Sequence, residues 1–174
     1  ALLSDPDSIA YYGGYWNYLG MEFGRPTLMI VRPGQAPVIL TPLMESEMCA
    51  AMSWIGDIRP WTDGGCEWRN LLIGLLDSNP AGTCIGIELA RLPNVIAAEI
   101  QERLPDHMLA DIAPLIAEQR MIKSPDEVAT MRQAGEVAIA MMDAAANAIG
   151  PGVPEYEIAL AAMQAGTHRA ASLL

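Results

Sequence analysis

The sequence predicts an α/β fold, a mixed β-sheet flanked by helices, followed by a stretch that is helical throughout. Three observations carry this reading. Short apolar runs bounded by glycine and proline alternate with amphipathic segments as far as residue 113. Beyond that point no strand signal remains. Between the two regions, Ser124-Pro125-Asp126-Glu127 supplies a serine cap, a proline at the first helical position and a glutamate three residues after the cap. A junction near Arg120 to Ser124 follows, with one domain over residues 1–120. Residues 121–174 then form a linker and the first helices of a second, truncated domain.

The elements follow in order. Ala1-Leu2-Leu3 has the character of the end of a strand, and Ser4-Asp5-Pro6-Asp7 that of a turn. Ile9 to Tyr12 is β-prone and is broken by Gly13-Gly14. Thr27 to Arg32 and Pro37 to Thr41 are expected to pair as a hairpin across Gly34-Gln35. Pro42 to Met52 suits an amphipathic helix, and Asp57 to Trp61 a short strand. Trp68 to Leu76 is helical by its Trp68, Leu71, Leu72 and Leu75 face, and Asn79-Pro80-Ala81-Gly82 ends it. Cys84 to Leu89 predicts a buried strand, Pro93 to Leu104 a helix, and Met108 to Ile112 a last strand. The capped helix after Ser124 aligns Val128, Met131, Gly135, Ala138, Met142 and Ala145, and ends at Gly150-Pro151-Gly152. A further helix from Pro154 carries Ile158, Ala161, Ala162 and Ala165, with small residues that permit close helix approach.

Composition narrows the classes. Apolar residues make up 52% and charged residues 18% of 174, enough apolar side chain for a real core. The formal charge is −11, from 21 acids against 10 bases, which disfavours a nucleic-acid partner. No run reaches the roughly 18–20 apolar residues of a membrane span. Cys49, Cys66 and Cys84 are odd in number and widely spaced, and so are expected as reduced core or near-core thiols in a reducing, cytoplasmic setting. Both ends have the character of cut elements, so the chain is expected to be part of a longer protein.

Catalytic signatures are missing. His107 and His168 have no acidic or thiol neighbours at ligand spacing, and neither a serine elbow, a phosphate loop nor an H-E-x-x-H helix is present. No residue is assigned to catalysis or to a metal. Asp5, Asp7, Asp57, Asp63 and Glu67 are accounted for by turns and caps. The stretch from Tyr11 to Phe23 is different, holding six of the ten aromatics (Tyr11, Tyr12, Tyr15, Trp16, Tyr18 and Phe23) among interleaved glycines. It is expected as a loop that walls a ligand or an interface. In Glu22-Phe23-Gly24-Arg25-Pro26, proline holds Arg25 extended, and Gly24 leaves room for something to approach the backbone. A guanidinium held this way suits a carboxylate. From these features alone a structural salt bridge to Glu22 or Glu45 is the first reading, and carboxylate recognition the second.

Two stretches together resemble a known family. R-M-I-K-S-P-D-E-V-A-T-M-R-Q-A-G-E-V-A, Arg120 to Ala138, is similar to the junction into the catalytic domain of the creatinase, prolidase and aminopeptidase P family, the pita-bread hydrolases. V-P-E-Y-E-I-A-L, Val153 to Leu160, resembles the next helix of that domain. Upstream, I-A-Y-Y-G-G-Y followed by F-G-R-P resembles the creatinase N-terminal domain.

The resemblance implies an α/β domain that takes part in homodimerisation and lacks the catalytic groups. A pita-bread α+β catalytic domain would follow it, with its machinery beyond Leu174. In the peptidases of the family that machinery includes two divalent metal ions; creatinases work without metal. By the same resemblance, Phe23 and Arg25 reach the partner subunit's active site, where Arg25 helps to hold the substrate carboxylate. The implied activity is hydrolysis of a C–N bond in a small carboxylate-bearing substrate. The loop between Tyr12 and Phe23 is longer than in creatinases, implying a differently shaped pocket. Xaa-Pro peptide cleavage, ectoine hydrolysis, dimethylsulfoniopropionate lysis and a non-enzymatic binding role on the same fold remain alternatives.

Overall fold

The computed structural model describes residues 1–17, 19 and 24–173. They form two compact units, Ala1–Glu118 and Gln119–Leu174. The first unit is a six-stranded mixed sheet with helices on both faces. Its strands are β1 (Leu2–Leu3), β2 (Leu28–Ile30), β3 (Val38–Pro42), β4 (Asp57–Trp61), β5 (Cys84–Ile87) and β6 (Met108–Asp111). Their spatial order is β4-β3-β2-β1-β5-β6. β2 pairs antiparallel with both β1 and β3, while the β3–β4, β1–β5 and β5–β6 pairs are parallel.

Residue alternation decides what each face buries. Leu2, Leu28, Ile30, Val38 and Leu40 point to one side, where Trp68, Leu72, Leu75 and Leu76 of α3 (Glu67–Leu76) and Ile96 and Ile100 of α4 (Asn94–Arg103) complete a core. Their strand neighbours Leu3, Met29 and Ile39 point to the other side. There they meet Ile9 of α1 (Pro6–Gly13), Cys49 of α2 (Ser46–Met52) and Ile116 of α5 (Ala113–Met121). Between β3 and α2 the chain makes one 3-10 turn, Leu43–Glu45. The expected hairpin is present, in the register Met29 opposite Ile39.

Three expectations are corrected. Ile9 to Tyr12 is not a strand but the body of α1. Pro6 supplies the preset φ of a first helical position, Asp7 is an acid in the first turn, and Gly14 ends the helix at φ 79°. Four apolar residues cannot outweigh those terminal signals. Cys66 and Cys84 are exposed, and only Cys49 is a core thiol. Tyr15, expected in an exposed aromatic wall, is fully buried, whereas Trp16 beside it is exposed.

In the second unit, α6 (Pro125–Ala148) opens with the full capping box: Glu127 N–H donates to Ser124 Oγ, and Ser124 N–H donates to the Glu127 carboxylate. It packs antiparallel against α7 (Glu155–Ala171), with Gly166 against Met141 and Arg169 paired to Glu136. A β-carbon on Gly166 would lie 2.6 Å from Met141 Cγ, so glycine sets the helix spacing. On α7 the half-buried positions are the expected Ile158, Ala161, Ala162 and Ala165, together with Arg169. On α6 they are Glu127, Val128, Val137, Ala140, Met141, Ala144, Ala145 and Ala148. Most of the stripe expected for α6 lies elsewhere, with Met131 and Met142 exposed.

Candidate functional site

Arg25 lies just ahead of β2, and the chain on either side of it is fixed by different means. Gly24 before it takes a left-handed φ of 67°. A β-carbon there would meet nothing within 4 Å, so backbone conformation and not space calls for glycine. Pro26 after it offers its carbonyl to the indole N–H of the buried Trp61, at 3.3 Å. Thr27, next along, is buried and shares a 3.0 Å hydrogen bond with Thr41 Oγ1 on β3.

Beneath this segment sits a buried carboxylate. Glu45, in the 3-10 turn after β3, accepts the backbone N–H of Leu19 at 2.9 Å and faces the Thr27 hydroxyl at 3.5 Å. A buried charge needs such donors, and these come from both ends of the segment that carries Arg25. The Tyr15 phenol lies in the same pocket, where burial and then the Glu45 charge push its pKa well above the ordinary range. Burial and Glu45, in that order, also raise the Cys49 thiol, to about 11.

The Arg25 guanidinium itself pairs with Asp63, in the loop between β4 and α3. Arg25 Nε donates to Asp63 Oδ1 at 3.1 Å, and Nη2 lies 2.5 Å from Oδ2. The pair is bidentate and side-on, and is partly open to solvent at 32% and 53% side-chain exposure. Thr62, next to Asp63, donates both its backbone N–H and its hydroxyl to Glu67, at 2.7 and 2.8 Å. Those bonds hold the Glu67 carboxyl below its ordinary pKa. Asp63 also lines a shallow cavity of about 200 Å³, shared with Pro42, Leu43, Met44, Trp61 and Thr62.

The salt bridge expected for Arg25 exists, but to Asp63, whose place in the sequence is that of a turn former. Glu45, one of the two partners expected from the sequence, instead accepts the Leu19 amide. Phe23 and Glu22 lie outside the described residues. Sequence alone offered no signal for the Asp63 pairing. It depends on the parallel register that sets Pro42 of β3 opposite Trp61 of β4. Three other carboxylates have structural partners: Asp57 pairs with Arg59, Glu99 with Arg69 and Arg103, and Glu88 accepts from Ser4 N, Asp5 N and Ser8 Oγ. Among the described residues no three of His, Cys, Asp and Glu are grouped to hold a metal ion, and no helix is long and apolar enough to cross a membrane.

Known proteins share this architecture. A sequence model of the Creatinase/Prolidase N-terminal domain matches residues 1–122. The agropine synthesis cyclase of Rhizobium rhizogenes is 24% identical over 183 aligned positions, covering 99% of this chain and 44% of that protein. A creatinase from a Bacillus species is 32% identical over 76 residues, covering 44% of this chain and 18% of that protein. Among solved structures, the prolidase from Pyrococcus furiosus superimposes with a TM-score of 0.74 at 20% identity, over 97% of this chain and 48% of that one. The X-Pro aminopeptidase from Thermotoga maritima gives 0.74 at 16% identity, over 97% and 46%. At such identities these structures show the shared fold, and the chain spans less than half the length of each of these relatives. The match over residues 1–122, on a six-stranded mixed sheet of the same architecture, places the chain in the creatinase/prolidase N-terminal domain family.

Proposed function

We propose that this chain is the substrate-pocket and dimerisation domain of a creatinase-like hydrolase, which cleaves a C–N bond in a small carboxylate-bearing substrate. Arg25 of one subunit would hold that carboxylate in the site of its partner, with Phe23 beside it. The observation that carries the reading is the state of Arg25: it is anchored through one edge, followed by backbone that Trp61 holds, and partly open to solvent. A cation anchored in this way can recognise an anion without first losing much conformational freedom. The groups that break the bond would come from residues after 174, since the described residues assemble none.

Two other readings have support. The folds of the prolidase and the X-Pro aminopeptidase favour a peptidase acting on Xaa-Pro substrates. In that case two divalent ions would be held outside this chain, because its described residues do not group to bind them. The whole-length likeness to a cyclase favours ring closure of a carboxylate-bearing substrate.

One assay separates the three. The full-length protein is incubated with creatine, glycyl-proline, ectoine and dimethylsulfoniopropionate, with and without a chelator, and the products are weighed by mass spectrometry. Uptake of water across a C–N bond, insensitive to chelator, supports the proposal. Chelator-sensitive cleavage of glycyl-proline alone supports the peptidase, and loss of water from a substrate supports the cyclase.

A further inference from the structure

The Arg25–Asp63 pair is asymmetric in a way that matters for ligand binding. A guanidinium offers two planar two-donor edges, one formed by Nε and Nη2 and the other by Nη1 and Nη2. Asp63 takes the first, through Oδ1 to Nε and Oδ2 to Nη2. Among the described residues nothing is bonded to Nη1, so the second edge remains available. Both partners are held from behind. Trp61 grips the carbonyl of Pro26, the residue after Arg25, and Glu67 grips Thr62, the residue before Asp63. The ion pair is therefore one rung between two anchored segments, not a loose surface contact.

We infer that Asp63 is the positioning residue for Arg25: by occupying the Nε edge it fixes the plane of the guanidinium and presents the Nη1–Nη2 edge to a ligand carboxylate. This deepens the proposed function and rests on its assignment of Arg25. Asp63 touches no ligand itself. Its carboxylate lies on the neighbouring edge, which shares only Nη2 with the ligand's, so it orients the cation through one Nη2 hydrogen and leaves the other for the ligand.

The test is a double-mutant cycle in the full-length protein, using Arg25→Gln, Asp63→Asn and the pair together. Binding is measured by calorimetry with two carboxylates, creatine and glycyl-proline, and with their carboxylate-free counterparts, N,N-dimethylguanidine and glycyl-prolinamide. Asp63→Asn is expected to weaken carboxylate binding about tenfold, within the coupling range of residues in direct contact. It should leave the neutralised counterparts unchanged and add nothing once Arg25 is Gln. Asp63→Glu, which keeps the charge, should recover part of the loss. Unchanged or tighter carboxylate binding by Asp63→Asn, while Arg25→Gln weakens it, overturns the positioning role and leaves the Arg25 contact standing. Additive losses in the double variant overturn it as well. If Arg25→Gln itself has no effect, or the unaltered protein binds neither carboxylate, the assignment of Arg25 fails and the role of Asp63 fails with it.

Discussion

Glu45 and Leu19 are joined by a 2.9 Å hydrogen bond across 26 positions, from a loop amide to a carboxylate buried under the start of β2. Leu19, six positions ahead of Arg25, is thereby pinned to the turn that follows β3. Removing the carboxylate leaves the Leu19 amide and the Thr27–Thr41 hydroxyl pair without their buried acceptor. Glu45→Ala is expected to lower the unfolding free energy by about 2 kcal/mol, the cost of stranding buried donors. Urea denaturation measures the loss, and hydrogen exchange at the Leu19 amide should accelerate more than the global change accounts for. An exchange rate that follows global stability alone would show that Glu45 does not hold the loop.

A second buried carboxylate does similar work at the start of the chain. Glu88 receives Ser4 N and Asp5 N at 3.2 Å each, and Ser8 Oγ at 2.5 Å, satisfying the amides just ahead of α1 with a negative charge. Glu88→Ala should cost about 3 kcal/mol, since several charge-assisted bonds are lost together. Circular dichroism should show helix loss at lower denaturant than in the unaltered protein. Two-state unfolding at an unchanged midpoint would contradict this.

The thiols predict an alkaline limb. Cys49 is buried and its pKa is raised from 9.0 to about 11, so the native state keeps a proton that the unfolded chain releases. Stability is therefore full below pH 9 and falls as pH rises toward 11, by about 3 kcal/mol at most. Tyr15 acts in the same direction from about pH 10 upward, so it adds to the upper part of the same window. Cys49→Ala should flatten the slope between pH 9 and 11. In the native state a thiol reagent at pH 7.5 should modify Cys66 and Cys84 quickly and Cys49 only after unfolding. Fast reaction of all three would contradict the burial.

Much of this architecture was legible in the sequence because it is locally encoded. The β2–β3 hairpin follows from apolar runs around Pro33-Gly34, and the start of α6 from the Ser124 capping box. The first helix was misread because Ile9 to Tyr12 was weighed by β-propensity, while Pro6 and Gly14, which set its ends, act through backbone geometry. Tyr15 was placed in a loop correctly, but a loop residue can still direct its side chain into the core, and no periodicity announces that. Arg25 stood out because proline and glycine flank it. Its partner did not, because Asp63 is 38 positions away and reaches it only through the β3–β4 register. Short-range pattern finds a constrained residue more readily than it finds what the fold brings to it.

The central claim is that Arg25 binds the carboxylate of the substrate. It is tested most directly by steady-state kinetics of the full-length Arg25→Gln variant on whichever carboxylate substrate the unaltered protein turns over. Loss of a charge-assisted hydrogen bond costs about 1.5–3 kcal/mol, so KM should rise about 10- to 100-fold, with kcat lowered much less. An unchanged KM in a folded variant would contradict the account.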